Sequence, residues 1–156
     1  MASPDDVDAF LSARGKTLPA APVWAPHKSR EGEMKARLPI ECDGAIAGPE
    51  IEITLRTADP NYIAMVLIMP ACVARLCIGT SHRNRVTGGT LTEPHFHRWS
   101  DNRNLPTRTR AELPFAELLP EDVRTRDASF AWFLSQVGIE SPHWLPVAWP
   151  SQGGLF

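Results

Sequence analysis

The chain has 156 residues, 43% of them hydrophobic and 22% charged, with a formal net charge of −2. That length suits one domain with a sizeable core, and that mixture excludes a chain disordered throughout. The longest apolar run, Tyr62 to Met69, is too short to cross a bilayer, and the N-terminus carries acids where a signal peptide needs a basic start. The expectation is a single cytoplasmic domain over residues 1–156 with no membrane partner.

Ser3-Pro4-Asp5-Asp6 opens a helix: a serine cap, proline in the first turn and acids near the positive end of the dipole. Val7, Phe10 and Leu11 form its apolar stripe and Gly15 ends it. Residues 17–30, with Pro19, Pro22 and Pro26, read as an extended connector anchored by Trp24.

Met34, Ala36, Leu38, Ile40 and Cys42 alternate with polar residues in the period of a half-buried strand, and Pro39 places that strand at an edge. Asp43-Gly44 to Pro49 supplies a turn into a second strand with Ile51, Ile53 and Leu55 on its apolar face. Asp59-Pro60-Asn61 breaks the chain before Tyr62 to Met69, apolar on both faces as a central strand is, and Pro70 leads into Ala71 to Ile78. With the histidine segment described below, the pattern predicts an α+β fold: a single antiparallel sheet of about five strands in meander order.

Asp101 to Arg110 reads as a long polar loop and Pro114 to Leu119 as a short helical turn. Thr125 caps a helix carrying Phe130, Phe133, Leu134 and Val137, closed by Gly138. This C-terminal helix and the N-terminal one are expected to pack on the sheet, and residues 141–156 to form an extended tail over the core.

Chemistry concentrates in Thr92-Glu93-Pro94-His95-Phe96-His97-Arg98-Trp99. On a strand, the period of two puts His95 and His97 on one face. A turn at Gly88-Gly89 pairs Thr87 with Thr90, which sets His82 opposite His95, Thr80 opposite His97 and Asn84 opposite Glu93. Cross-strand Cβ atoms are roughly 5 Å apart, so three imidazoles, an amide and a carboxylate would share one patch. Pro94 lacks the amide that this ladder expects opposite Arg83, and a one-residue slip there would move His82 to the other face.

Between Arg75 and Arg110 every basic residue is arginine (Arg75, Arg83, Arg85, Arg98, Arg103, Arg108 and Arg110), against the acids Glu93 and Asp101. Arginine forks around histidines favour an anionic ligand, such as RNA or an acidic protein surface. Strand parity points Arg83, Arg85 and Arg98 away from the histidines and leaves Arg103, Arg108 and Arg110 to reach them.

The best enzymatic reading is metal-independent, ribonuclease-like phosphodiester cleavage without a cofactor. In it His82, His95 and His97 are the acid-base candidates, Arg103, Arg108 and Arg110 hold phosphate, Asn84 and Glu93 add polar contacts, and Trp99 stacks on a base. A non-enzymatic inhibitor or adaptor, using arginine and tryptophan as interface anchors, is the first alternative.

The second alternative is a transition metal such as zinc on His82, His95 and His97. The run Gly89-Thr-Leu-Thr-Glu-Pro-His95-Phe-His97-Arg-Trp-Ser-Asp101 resembles the first motif of the cupin family, which implies a barrel fold and a metal on His95, His97 and Asp101. The match covers about a dozen residues, and no counterpart of the family's second motif follows; only His143 remains there.

Cys42, Cys72 and Cys77 are odd in number without CxxC spacing, so reduced buried thiols are expected rather than disulfides or a cysteine-held zinc. His27 and His143 read as structural or solvent-facing, and Gly88-Gly89 is too short for a phosphate loop.

Overall fold

A computed structural model describes residues 2–83 and 88–151. Helix α1 (Pro4–Ser12) starts as its residues dictate: the Ser3 hydroxyl accepts from the Asp6 amide and the Asp6 carboxylate accepts from the Ser3 amide. It ends at Ser12, before Gly15, because the fully buried Lys16 donates to the Phe10, Leu11 and Ala13 carbonyls and closes the helix.

Two short strands follow, β1 (Lys16–Thr17) and β2 (Ala25–Pro26), both within or beside the segment expected to be a plain connector. Then come β3 (Glu33–Cys42), β4 (Ala45–Arg56), β5 (Asp59–Ile68) and β6 (Cys72–Ile78), a four-strand antiparallel meander. The turn from β3 to β4 is shorter than the composition suggested. Asp43 and Gly44 both take positive φ (54° and 78°), the conformation of a two-residue hairpin turn, so β4 begins at Ala45.

The chain continues through β7 (His82–Arg83), β8 (Thr90–Leu91), β9 (His95–His97), α2 (Trp99–Asn102), α3 (Thr107–Arg110), β10 (Glu117–Leu118), a 3-10 turn (Glu121–Val123) and α4 (Arg126–Gln136). The main sheet has eight strands, ordered β1-β3-β4-β5-β6-β9-β10 with β2 also on β3, and is antiparallel throughout. It is therefore larger than the five strands expected: the meander core is joined by short strands that composition alone does not reveal. Among the described residues Pro39 has a strand partner on one side only, Glu50 of β4, so it lies on an open stretch of the edge of β3. It lies on β3 between the stretches covered by β1 and β2, and the register against β4 shifts immediately after it.

Two further expectations change. The segment 101–110 holds the end of α2 and all of α3 with a connecting turn at 103–106, and it is pinned by Asn102, whose side chain donates to the Arg98 and Phe115 carbonyls and accepts from the Phe115 amide. The segment 114–119 yields β10 rather than a helical turn, since Glu117 and Leu118 pair with the edge of β9. α4 begins at the Thr125 cap, and Gly138 follows it with φ 71°.

One sheet face is the core. Leu38, Ile51 and Leu67 lie in register, as do Ala36, Ile53, Met65, Leu76 and Phe96, and all are buried. Trp132 and Phe133 of α4 meet the Phe96 ring edge-on at 5.1 and 6.0 Å. Beyond α4, Trp144 donates to the Leu18 carbonyl and Trp149 to Asp127, laying the chain up to residue 149 over this core. The other sheet face is polar. Lys35, Arg37, Glu50 and Glu52 form ion pairs across β3 and β4, and the same face continues onto β6 and β9. No helix among the described residues is long and apolar enough to cross a membrane.

Candidate metal centre

Strand β9 does not continue the Gly88-Gly89 hairpin. His82 pairs with Leu91 and Arg83 with Thr90 in a separate two-stranded ribbon, while β9 joins β6 with His95 opposite Cys77, Phe96 opposite Leu76 and His97 opposite Arg75. The expected pairings of His82 with His95 and of Thr80 with His97 are thus replaced. The physical reason is Phe96: on β6 its ring enters the core at 1% exposure, a burial that stabilises by about 2–3 kcal/mol. Pro94, without an amide, ends the ribbon just before β9.

The parity of β9 holds in this setting. With Phe96 inward, His95 and His97 point to the polar face of the sheet, beside Cys77 and Arg75 of β6. Residue His82 reaches the same spot from the ribbon. Its ring centroid lies 5.2 Å from that of His95 and 5.9 Å from that of His97, with His95 and His97 4.9 Å apart. The three-histidine patch therefore forms, by a route other than the one the hairpin register implied.

A thiol completes the group. Cys77 Sγ lies 3.3 Å from His82 Nε2, and the donor atoms of Cys77, His82, His95 and His97 all lie within 4.8 Å of one another. Cys77, His95 and His97 are buried, and His82 is half-buried. Thr80 Oγ1 also stands 3.1 Å from His82 Nε2.

The imidazoles are oriented by the backbone. His95 Nδ1 is 2.7 Å from the Glu93 carbonyl and His97 Nδ1 is 2.6 Å from the Leu113 carbonyl, and a carbonyl can only accept. Both rings therefore carry their proton on Nδ1 and turn the Nε2 lone pair into the cluster, the arrangement by which outer groups fix metal-binding histidines. Leu113, fully buried, has φ 46°, a left-handed conformation uncommon for a residue with a branched side chain. That turn aims its carbonyl at His97.

Electrostatics keep the imidazoles neutral. Burial, reinforced by the Arg75 guanidinium, pushes His97 down to about 3 and His82 down to about 4. Burial also lowers His95, against the opposing hydrogen bond to the Glu93 carbonyl, and raises the Cys77 thiol. His95 Nε2 is buried with no hydrogen-bond partner among the described residues. Arg75 Nη2 lies 3.4 Å from His97 Nε2 and 3.4 Å from the Glu112 carbonyl.

Other residues marked by the sequence lie elsewhere. Arg103 binds Asp8 and Asp5 of α1; Arg110 donates to the Arg103 and Leu105 carbonyls and stacks over Trp99; Arg108 is exposed on α3. None of the three lines the cavity beside the histidines, whose walls include Arg75 and Arg83 instead. Trp99 is 6% exposed with its indole donating to Asp8, so it is a packing residue and not a stacking platform. Glu93 has an exposed side chain and contributes its carbonyl, and Asn84, like Arg85 and Thr87, lies outside the described residues.

No protein-family profile matches the chain, and neither curated proteins nor solved structures show a significant similarity to it. The donor set also departs from the cupin pattern. Asp101 is exposed on α2 and does not join the cluster, and the remaining donors come from Cys77 and His82. Sequence reading missed Cys77 and Arg75 because the partner strand of β9 decides their role. The available signal was parity, which places Arg75 and Cys77 on one face of β6.

Proposed function

We propose that this protein binds a divalent transition metal, zinc by preference, through Cys77 Sγ and the Nε2 atoms of His82, His95 and His97. The observation that carries this reading is the buried, unpartnered Nε2 of His95 at the centre of converging donors. An unsatisfied buried acceptor is destabilising by about 1–3 kcal/mol, and a metal ion supplies its partner.

The donors suit zinc. Zn–N bonds of about 2.0–2.1 Å and a Zn–S bond of about 2.3 Å imply tetrahedral edges of about 3.3–3.6 Å. The 3.3 Å separation of Cys77 Sγ and His82 Nε2 already falls in that range, and small rotations bring in the rest. One thiolate with three imidazoles combines soft and borderline donors, a set that selects zinc or copper over magnesium or calcium. The ion would also pin the β7–β8 ribbon to the main sheet, because His82 is the ribbon's ligand.

Metal-independent cleavage of a phosphodiester is the competing enzymatic reading. It requires one imidazolium near neutral pH as the acid, and burial drives all three imidazoles toward the neutral form that a metal needs. The inhibitor or adaptor reading loses anchors to internal contacts: Trp99 is packed, Arg103 is held by Asp8, and Arg98 is held by Glu117.

Titration with cobalt(II) tests the proposal, since a thiolate ligand produces a charge-transfer band and tetrahedral geometry intensifies the visible bands. One equivalent bound, with the charge-transfer band absent in Cys77→Ser, is the expected result. A protein that takes up neither cobalt nor zinc stoichiometrically would overturn it.

A further inference from the structure

We infer that the cavity beside the metal ligands is a subsite for a small phosphate-type oxyanion, held by the guanidinium groups of Arg75 and Arg83 against the metal. This inference rests on the metal reading above and names what that site would take.

The cavity measures about 260 Å³, a volume for a small ligand or a single headgroup rather than a large cofactor. Its walls include His82 and His97, two of the metal donors, together with Arg75 and Arg83. It therefore adjoins two of the four proposed ligands and is lined by two residues of the type best shaped for phosphate oxygens. Arg83 follows His82 on the short ribbon and lines the same cavity.

Charge supplies the second argument. A zinc ion with one thiolate and three neutral imidazoles carries a net charge of +1, and Arg75 adds a further positive charge beside it. Among the described residues no carboxylate lies in ion-pair range of Arg75, and its buried Nε has no hydrogen-bond partner. Arg75 now reaches the His97 Nε2 lone pair at 3.4 Å. Once a metal takes that lone pair, the contact is lost and the guanidinium keeps only the Glu112 carbonyl, 3.4 Å away. A half-buried cation next to a cationic centre is costly unless an anion joins it.

An oxyanion entering the cavity meets all of these needs at once. Its oxygens pair with the guanidinium forks, neutralise the centre and approach the ion from the side of His82 and His97. Glu112 also lines the cavity and presents its backbone carbonyl to Arg75 there.

The test is calorimetric titration of inorganic phosphate into protein carrying one equivalent of zinc, into metal-free protein, and into zinc-loaded Arg83→Gln and Arg75→Gln. Zinc content is measured in every sample, and acetate is titrated in parallel as a carboxylate probe. The expected result is phosphate binding to the zinc-loaded protein, at least tenfold weaker binding without zinc, and at least tenfold weaker binding in either variant with zinc content unchanged. Arg83 is exposed, so its variant keeps the test informative should Arg75→Gln fail to fold. Full zinc content with no phosphate binding, or equal phosphate affinity in wild type and Arg83→Gln, overturns the subsite and leaves the metal reading standing. Tighter binding of acetate than of phosphate overturns the phosphate assignment. Absence of zinc binding overturns both readings.

Discussion

Cys77 and His95 are direct cross-strand partners on β6 and β9, a thiol and an imidazole facing the same side of the sheet from neighbouring strands. Both are buried, and neither depends on a loop for its position. Replacing either with alanine removes one of the proposed ligands. We expect zinc affinity to fall by at least about 100-fold in Cys77→Ala and in His95→Ala, beyond the 10- to 100-fold seen when only an orienting group is lost. Competition with a chromogenic chelator measures this directly, and a change below tenfold in both variants would remove these residues from the ligand set.

His82, the proposed ligand from the ribbon, is expected to behave differently from those on the sheet. Among the described residues His82 is the ribbon's one member of the cluster, so zinc should raise stability globally and protect the ribbon locally. With free zinc about 1,000 times the dissociation constant, linkage gives about 4 kcal/mol, or roughly 10 °C in Tm for a chain of this size. In His82→Ala the global gain should shrink, and amide exchange of residues 88–91 should become independent of zinc. Equal protection of those amides with and without the ion would show that the ribbon is not a partner of the site.

Metal-free protein should lose stability as the pH falls from about 6.5 to 5. His97 and His82 have folded-state values near 3 and 4, below the ordinary value of 6.5, so the unfolded chain binds more protons across this window. Their contribution is complete above about 6.5 and is lost as pH drops toward the folded values. For His97 alone the loss at pH 5 is on the order of 2 kcal/mol. The lowered carboxylates of Asp6 and Asp8 act only nearer their usual range, below this window. Urea midpoints measured from pH 5 to 8 should fall toward low pH in wild type and fall less steeply in His97→Gln, where His82 still contributes; parallel curves would contradict the assignment.

Local signals in the chain translated well into structure wherever a single segment decides its own conformation. The Ser3 and Thr125 caps, the alternation of residues 34–42 and 51–55, and the shared face of His95 and His97 all follow from spacing that short-range sterics enforce. What could not be read was pairing between distant strands. The hairpin centred on Gly88-Gly89 is locally reasonable, yet burial of Phe96 against Leu76 and α4 outweighs continuation of that ladder and gives β9 to β6. The roles of Arg75 and Cys77 depend on that choice alone. Similarly, Arg103 carries an anion-binding side chain in the sequence, but Asp8, 95 positions away, claims it in the fold.

A last prediction concerns how α1 is joined to the rest. Gly138 has φ 71°, and a Cβ there would stand 2.9 Å from the Leu11 carbonyl oxygen and 3.1 Å from Lys16 Nζ. The first of these is backbone at the end of α1, and the second is the ammonium that closes the helix, so neither can yield without loosening the cap. Gly32 has a similar φ, 78°, with nothing within 4 Å of the position its Cβ would take. Alanine at Gly32 therefore carries only the left-handed backbone penalty, about 1–2 kcal/mol. Gly138→Ala adds the clash to the same penalty and should be destabilised by roughly 2 kcal/mol more than Gly32→Ala. Urea unfolding of the two variants measures the difference, and equal midpoints would mean that the junction between α1, Lys16 and Gly138 has room the structure does not give it.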